Sequence, residues 1–363
     1  MSPAQEKRCA RLTRDLLLEE RPAETAAGAS EARRWLPILA RYREPNAMRG
    51  WLELGITAAA LAATWAAMWW SLSVSYWLCL LLAIPGAGLV VRVFVIQHDC
   101  GHGAYFRHRA LNDLLGRALG VVTLTPYDVW KRAHAIHHAT SGNLNRRGVG
   151  DITTLTVREY QSRPFSQRMA YRLYRNPLIL FVVGPAYMFV LQHRLPIGFM
   201  RGGATPWLSA MGTNAMIGLA ATGLIMLVGL WPFLLIQAPL TLLAASMGVW
   251  LFYVQHQFEN TTWEKDGEWN VSDAALNGSS YYDLPAVLRW FTASIGVHHV
   301  HHLCSRIPFY RLQQVMSDHP DLARVHRLTI AQSLKCVPLA LWDEDRRRLV
   351  SFAEARGDRA PRA

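Results

Sequence analysis

Two long uncharged stretches dominate the pattern of hydrophobic and polar positions along the chain. Glu53 is the only charged residue between Arg49 and Arg92, and no charged residue lies between Arg201 and Glu259. A helix of a water-soluble protein keeps a polar face, and neither stretch provides one. Each stretch is about twice the ~20 residues that one membrane-spanning helix requires. The pattern therefore predicts an integral membrane protein with two pairs of spanning helices.

A short break near the middle of each stretch separates the two helices of a pair. The first break is SLSVS at 71–75, and the second is GLWP at 229–232. The predicted fold class is all-α, with four transmembrane helices in two hairpins and a cytoplasmic helical cap. The four spans are expected at about 54–70, 76–96, 211–228 and 233–254.

The distribution of Lys and Arg predicts the orientation of the chain. Neither hairpin tip contains a basic residue, whereas 97–206 contains 14 of the 38, against five acids. Basic residues prefer the cytoplasmic side, so both termini and the 97–206 segment are predicted to be cytoplasmic. Its positive charge favours anionic lipid headgroups or an acidic electron-donor protein. Nucleic-acid binding is not expected, because no folded soluble module remains to perform it.

The remaining segments complete the predicted organisation. We expect an N-terminal cytoplasmic arm at 1–45, a membrane domain at 46–340 and a charged C-terminal tail at 341–363. The shorter apolar runs at 110–125 and 177–192 are predicted to lie in the membrane interface without crossing it. The five cysteines are odd in number and include no CxxC, which argues against a disulfide framework or a zinc knuckle and favours a reducing compartment.

Eight of the 14 histidines fall into three boxes with helical spacing. Residues at i, i+3 and i+4 share one face of a helix, so each box presents its imidazoles together. The 97–206 segment must cross the membrane an even number of times for all boxes to meet, and no crossing is the simplest solution. The HxxxH box is His98 and His102, and the two HxxHH boxes are His134, His137, His138 and His298, His301, His302.

A ninth histidine, His256, follows the fourth predicted span on the same side as the first box. Nine neutral imidazoles are too many for one ion and suit two, although imidazole alone does not distinguish iron, zinc, copper and nickel. His299 is not expected to be a ligand, because on a helix it points about 100° away from His298. Asp99, Asp151 and Glu259 are candidate partners that would orient the imidazoles through the second ring nitrogen.

Three stretches of the chain resemble the membrane-bound fatty acid desaturases, and within them the bacterial acyl-lipid omega-6-like type. They are QHDCGHGAYF at 97–106, the segment from KRAHAIHH at 131–160, and YYDLPAVLRWFTASIGVHHVHHLCSRIPFYRL at 281–312. The resemblance covers about residues 45–340. One departure is Ser294, where members usually have an asparagine. The resemblance implies four spans in two hairpins and a cytoplasmic di-iron centre ligated by the nine histidines.

The resemblance also implies the reaction and its partners. Dioxygen is reduced with two electrons, and two hydrogens are removed from adjacent methylenes of a fatty acyl chain. The chain has no flavin or nicotinamide fingerprint, so the electrons are expected from a separate donor of the ferredoxin type. An apolar channel would select the methylenes by position. Its candidate lining residues are Tyr127, Trp130, Tyr282 and Trp290. The expected location is the bacterial inner membrane.

Two alternatives remain at this level. A fatty acyl hydroxylase, or a carotenoid ketolase or hydroxylase, would use the same scaffold and the same oxidant, and product analysis would separate them from a desaturase. A non-catalytic metal-binding membrane protein belongs to a different class. Transport sites usually lie within spans near the membrane midplane, whereas all three boxes lie outside the predicted spans, which disfavours transport.

Overall fold

The computed structural model describes residues 31–357 of the 363-residue chain. Helices form most of it, and several short ones lie between the long ones. The first ten helices are α1 (Glu31–Leu39), α2 (Ala47–Ser71), α3 (Tyr76–Gly101), α4 (Arg109–Val122), α5 (Tyr127–Thr140), α6 (Val157–Ser162), α7 (Phe165–Tyr174), α8 (Gly184–Val190), α9 (Ala204–Val228) and α10 (Leu230–His256).

The later part of the chain consists of short helices and short strands. The helices are α11 (Val271–Asn277), α12 (Ala286–Phe291), α13 (His298–Leu303), α14 (Phe309–Asp318), α15 (Ile330–Leu334) and α16 (Glu354–Gly357). The strands are β1 (Leu155–Thr156), β2 (Tyr281–Tyr282), β3 (Arg327–Leu328), β4 (Leu339–Asp343) and β5 (Arg348–Ser351).

Four helices among the described residues are long and apolar enough to cross a membrane: α2, α3, α9 and α10. They match the four predicted spans in order. Local chemistry fixes where two of them begin, since Asn46 accepts a hydrogen bond from the Arg49 N–H at 2.9 Å, and Ser75 accepts one from the Trp77 N–H at 3.3 Å. Such N-caps satisfy amide donors that the first helical turn leaves unpaired.

The long helices extend beyond the predicted bounds. The second span was predicted to end at 96, but α3 continues to Gly101, and α10 continues two residues past the predicted end at 254. His98 therefore lies on the last turn of α3 rather than beyond the helix, and the position of the span's end at about 96 stays a prediction. The predicted ends were placed where the apolar residues stop. The helices continue further because their last residues, although polar, are buried and keep the helical hydrogen bonds.

The helix α3 lies at the centre of the long helices. Of its most apolar 18-residue window, 56% is buried, whereas none of the corresponding window of α9 is. The exposed side of these helices is strongly apolar: Trp77 is 80% exposed, Met226 83% and Leu227 77%. An exposed apolar surface of this kind is costly in water and stable against lipid.

The segment between α7 and α9 is bent. Ile179–Val183 has π-helical hydrogen bonding and leads into α8, and the helical pair Phe165–Tyr174 and Ile179–Arg194 meets at 60°. Counted as one broken span, this pair would raise the number of candidate spans to five. The interfacial placement of 177–192 stays a prediction. The other short run lies largely in α4, whose 14 residues are too few to cross.

Two small sheets qualify the all-α fold class. In the first, β4 lies between β1, to which it is parallel, and β5, to which it is antiparallel; in the second, β2 and β3 are parallel. Strands of two to five residues are too short for alternation to be read from the sequence. Through β4 and β5, the region predicted as a charged tail joins the sheet as far as Ser351. The predicted arm lies partly outside the described residues.

Glu53, inside the first apolar stretch, and Arg92, at its end, form a buried pair between α2 and α3. The Arg92 guanidinium contacts the Glu53 carboxylate and donates to the Thr57 hydroxyl at 3.0 Å. It also donates to the Trp290 carbonyl and lies 4.3 Å from the centroid of that ring. Arg49 contacts the same carboxylate at 2.6 Å. The pair thus connects two long helices to α12, just ahead of the third histidine box.

Candidate metal centre

Four helices bring the histidine boxes to one place. His98 lies on the last turn of α3 and His102 directly follows that helix. The second box lies on α5, α13 begins with the third box, and His256 is the last residue of α10. Helical spacing directs the members of each box to the interior, as predicted from the sequence. All nine predicted ligands meet there.

The nine histidines form two groups, each of which could hold one metal ion. Within each group the candidate ligand atoms all lie within 4.8 Å of one another. The five-histidine group is His98, His102, His134, His138 and His301, and the four-histidine group is His137, His256, His298 and His302. Each HxxHH box contributes to both groups, so α5 and α13 each lie beside both sites.

The distances between the imidazoles fit a bound cation better than a hydrogen-bond network. In the five-histidine group, Nε2 of His134 lies 3.0 Å from Nε2 of His102 and 3.1 Å from Nε2 of His138. In the four-histidine group, Nε2 of His256 lies 3.2 Å from Nε2 of His137 and 3.0 Å from Nε2 of His298. A neutral imidazole carries one N–H, so several nitrogens facing each other present lone pairs to one point. The residues present therefore fit a pair of metal ions.

Electrostatics favours the neutral, ligating form of these side chains. Burial lowers the pKa of His134, His138 and His301 well below the usual range, and positive charge on neighbouring histidines would lower it further. The same causes lower the pKa of His298 and His302. Metal binding requires neutral imidazole, so no proton has to be displaced from these side chains at neutral pH.

Two of the three predicted carboxylate partners lie against histidines of the centre. Asp151 Oδ1 lies 2.6 Å from Nδ1 of His137. Asp99 Oδ1 lies 3.3 Å from Nδ1 of His98, and its Oδ2 accepts from the Phe309 N–H at 2.7 Å. Both carboxylates leave Nε2 of their histidine directed into the site, which is the arrangement that orients metal ligands.

The structure places the third carboxylate elsewhere. Glu259 has a side chain that is 56% exposed, and it contacts Arg348 rather than any histidine among the described residues. The corresponding partner of His256 is the Gly278 carbonyl oxygen, 3.1 Å from Nδ1. A backbone carbonyl leaves no signature in the sequence, so this partner was missed. Glu259 is near His256 along the chain, but α10 ends at His256 and the Glu259 side chain lies against Arg348.

His299 lies outside both groups, as predicted from its helical position. Its Nε2 lies 3.0 Å from the Leu322 carbonyl oxygen, away from both histidine groups. The side chain is fully buried. His299 packs between α13 and the 3₁₀ turn at Pro320–Arg324, where the hydrogen bond satisfies Nε2 of its buried ring. This structural role explains a histidine at this position that is not a candidate ligand.

Of the four predicted channel residues, Trp130 is the one that contacts the centre. Its ring stacks on His134 with 4.7 Å between centroids, and a Cβ at Gly101 would meet that indole at 2.9 Å. Tyr127 is buried and donates to Asp113 at 2.9 Å. Tyr282 Oη lies 3.1 Å from the Ser333 hydroxyl, and the Trp290 ring covers Arg92.

An apolar cavity of about 40 Å³ lies beside Trp130, between α3, α4, α8 and α10. None of the four predicted residues lines it. Phe94 forms part of its wall and packs edge-on against Trp130 with 5.3 Å between centroids, so a row of aromatic rings leads from the cavity to His134. Its lining includes Val90, Phe94, Thr123, Phe189, Gln237 and Ala245.

The whole arrangement, with three boxes, two histidine groups and four apolar helices, agrees with the comparisons to known proteins. The model of the family described as "Fatty acid desaturase" matches residues 73–333. The chain belongs to the fatty acid desaturase family. Members of this family are oxidoreductases, and the matched region contains all nine histidines of the centre.

Individual desaturases are similar over most of their length. The "Fatty acid desaturase" of Bacillus subtilis is 42% identical over 316 residues, which cover 86% of this chain and 89% of that protein. The "sn-1 oleoyl-lipid 12-desaturase" of Synechocystis is 26% identical over 284 residues, covering 74% and 75%. The "sn-1 acyl-lipid omega-3 desaturase (ferredoxin)" of Synechocystis is 27% identical over 286 residues, covering 75% of each chain.

Proposed function

We propose that this protein is a membrane fatty acid desaturase that uses two iron ions and dioxygen to introduce a double bond into a fatty acyl chain. The observation that carries the proposal is the pair of adjacent histidine groups, five and four imidazoles, at the ends of apolar helices. A purely structural membrane protein has no need of nine converging ring nitrogens. Family membership supplies the reaction class.

The histidines would hold the two ions, and neighbouring groups would hold the histidines. Bound iron would supply the site at which dioxygen is reduced. Asp151 and the Gly278 carbonyl engage Nδ1 of His137 and His256, which fixes each ring and leaves Nε2 free for the metal. Nine neutral ligands contribute no negative charge, so the two ions retain their positive charge in a buried site.

The aromatic row and the apolar cavity would position the substrate. A saturated acyl chain offers no polar group near the reacting carbons, so the enzyme must select them by depth in an apolar pocket. The cavity beside Phe94 and Trp130 is adjacent to the five-histidine group and is lined mainly by apolar side chains. Relatives are named for oleoyl-lipid and acyl-lipid desaturation, and we infer a lipid-bound acyl substrate here.

The membrane arrangement and the electron donor follow from charge and similarity. We infer that α2, α3, α9 and α10 span the bacterial inner membrane, with the histidine centre and both termini in the cytoplasm. The membrane domain would comprise residues 46–340. The 97–206 segment, with a charge of +9, would attract an acidic one-electron donor of the ferredoxin type, the class named for one relative.

Two measurements test the proposal. In a bacterial host that lacks polyunsaturated lipids, expression should add a double bond to lipid acyl chains, seen by mass spectrometry of the extracted fatty acids. The purified protein should contain about two irons per chain. A hydroxylated or ketone product would favour the sister chemistries on this scaffold. Stoichiometric zinc with retained activity would overturn the iron assignment, and metal without any lipid product would favour a non-catalytic protein.

A further inference from the structure

A small cavity lined by both polar and apolar groups lies behind the four-histidine group, beside Asp151 and the Gly278 carbonyl that contact Nδ1 of His137 and His256. Its volume is about 10 Å³, and His256, Asp151 and Trp263 contribute to its wall. Ser141, Thr261 and Gly278 also line it. A polar cavity of roughly this size holds about one water molecule if two to four hydrogen-bonding groups surround it.

The indole of Trp263 supplies an unused hydrogen-bond donor at this cavity. The residue is 6% exposed, and its Nε1 is buried without a hydrogen-bond partner among residues 31–357. Leaving a buried N–H unsatisfied costs about 1–3 kcal/mol. Nearby Trp269 shows the usual solution, since its Nε1 donates to the Ser141 carbonyl at 3.0 Å. The buried Trp263 N–H therefore indicates that a molecule able to accept a hydrogen bond occupies the cavity.

The carboxylate of Asp151 supplies unused acceptors at the same cavity. Oδ1 is occupied by Nδ1 of His137, and Oδ2 accepts only from the Gly148 N–H, at 3.2 Å, among the described residues. A carboxylate has about four lone-pair positions, so two remain. A molecule that both accepts from an indole N–H and donates to a carboxylate, in the space of one water, is water itself.

We propose that this cavity binds one ordered water that links the Trp263 indole N–H to the Asp151 carboxylate. Trp263 is then a positioning residue: it acts through the water on Asp151, and through Asp151 on the ring of His137. The effect on metal binding rests on the proposed function. The water site itself does not, because it depends only on the cavity and its polar groups. Only the four-histidine group is affected, since the Asp151 contact is made to His137.

The structure of the iron-loaded enzyme, at a resolution that reveals ordered water, tests the site directly. The expected result is one water within hydrogen-bond distance of Trp263 Nε1 and of a carboxylate oxygen of Asp151. A dry cavity, or an indole N–H bonded to another protein group, would overturn the proposal.

The variant Trp263→Phe keeps the ring and removes the donor. Losing a group that supports a metal ligand typically lowers metal affinity 10–100-fold, and an indirect partner should lie at the low end. We expect about tenfold faster loss of one of the two irons to a chelator, and a changed Mössbauer signal for that iron alone. The control is Trp65→Phe, which removes a buried, unpartnered indole N–H in the packing between the long helices.

A double-mutant cycle with Asp151→Asn separates positioning from a general loss of structure. If Trp263 acts through Asp151, iron retention in the double variant should equal that of Asp151→Asn alone. Additive losses, or equal iron retention in Trp263→Phe and wild type, would contradict the proposed link. A wild-type protein without two irons would instead contradict the proposed function, and the ordered water would still be testable in that protein.

Discussion

At the scale of single residues, the HxxHH spacing divides the histidines of one helix between two groups, each of which could hold a metal ion. On α5, His134 and His138 are four residues apart and belong to the five-histidine group, while His137 belongs to the four-histidine group. The third box repeats this division with His301 against His298 and His302. Both histidines of the HxxxH box, His98 and His102, belong to the five-histidine group. The third histidine of each HxxHH box therefore places that box in both groups, where the two proposed ions would bind.

His256 and His299 provide the sharpest test of the ligand set. His256→Gln should lose iron from the four-histidine group and abolish desaturation, because its Nε2 lies at 3.0–3.2 Å from two other ligand nitrogens. His299→Gln is the matched control and should retain iron and product, since glutamine keeps a donor for the Leu322 carbonyl. Metal analysis and fatty-acid profiling measure both. Iron loss in His299→Gln, or its full retention in His256→Gln, would refute the assignment.

Residues whose relative positions are set by helical spacing could be placed from the sequence, whereas contacts that depend on the path of a loop could not. Boxes within one helix specify their own geometry, so His134, His137 and His138 could be placed from spacing alone. Partners such as Asp151 also lay close to a box in sequence. The Gly278 carbonyl could not be foreseen, because which backbone atom reaches His256 depends on the path of a loop 22 residues further along.

At the scale of elements, the buried ion pair between α2 and α3 should matter more than surface pairs. Removing one partner of a buried pair leaves an uncompensated charge and costs about 3–5 kcal/mol. Arg92 is 2% exposed, so Glu53→Gln should lower the thermal unfolding midpoint in detergent substantially. Asp345→Asn, which breaks the exposed pair with Arg158, should cost less than about 1 kcal/mol.

The double variant Glu53→Met and Arg92→Met distinguishes charge from packing in the same pair. If the cost of Glu53→Gln is the unpaired charge, replacing both side chains by apolar ones should recover most of the lost midpoint. A double variant as unstable as the single one would assign the effect to packing and hydrogen bonding instead, including the contacts of Arg92 with Trp290 and Thr57.

The elements that enclose the apolar cavity should set the acyl chain that the enzyme accepts. Ala245 lines the cavity on α10, and Ala245→Leu adds three carbons to a space of about 40 Å³. We expect a shift toward shorter acyl chains, or loss of product, with iron content unchanged. Ala220→Leu on the exposed face of α9 is the control. Fatty-acid profiles of hosts supplied with chains of different length measure the shift, and an unaltered preference would exclude this cavity as the acyl site.

Long apolar elements were predictable, whereas short ones were not. The two uncharged stretches gave the four long helices in order because the pattern repeats over some 20 residues each. The strands β1 to β5 have at most five residues, and β1 pairs with β4 across more than 180 positions, as Leu155 does with Leu341. Such pairing depends on the finished fold rather than on local pattern. The channel candidates stay a prediction, and none of the four lines the apolar cavity, since aromatic type alone does not determine which side of a helix faces a cavity.

At the scale of the whole molecule, the fold separates an apolar anchor from a polar reaction centre. The four long helices expose Trp, Met and Leu side chains, and the short helices and sheets gather at the end where α3 and α10 position His98 and His256. Both of these helices run toward the same end, and the apolar cavity proposed for the acyl chain lies between them. The positively charged segment 97–206 contains the first and second histidine boxes.

Cysteine labelling in intact cells tests the orientation that this arrangement requires. The described native cysteines Cys79, Cys100, Cys304 and Cys336 are buried, so a chain with Cys9→Ser provides a quiet background. Both hairpin tips lack Lys and Arg, and we expect a membrane-impermeant maleimide to label Ser73→Cys from outside.

Ser162→Cys is the matched control, because Ser162 is also exposed but lies in the basic segment. It should stay unlabelled until the cells are made permeable. Basic residues cross the inner membrane poorly, so the 14 in this segment oppose its export. Labelling of Ser162→Cys in intact cells would place the histidine centre outside and contradict the topology. Protection of Ser73→Cys in both conditions would show instead that the first tip is buried in lipid or protein, and Leu230→Cys, at a 48% exposed position, would then decide.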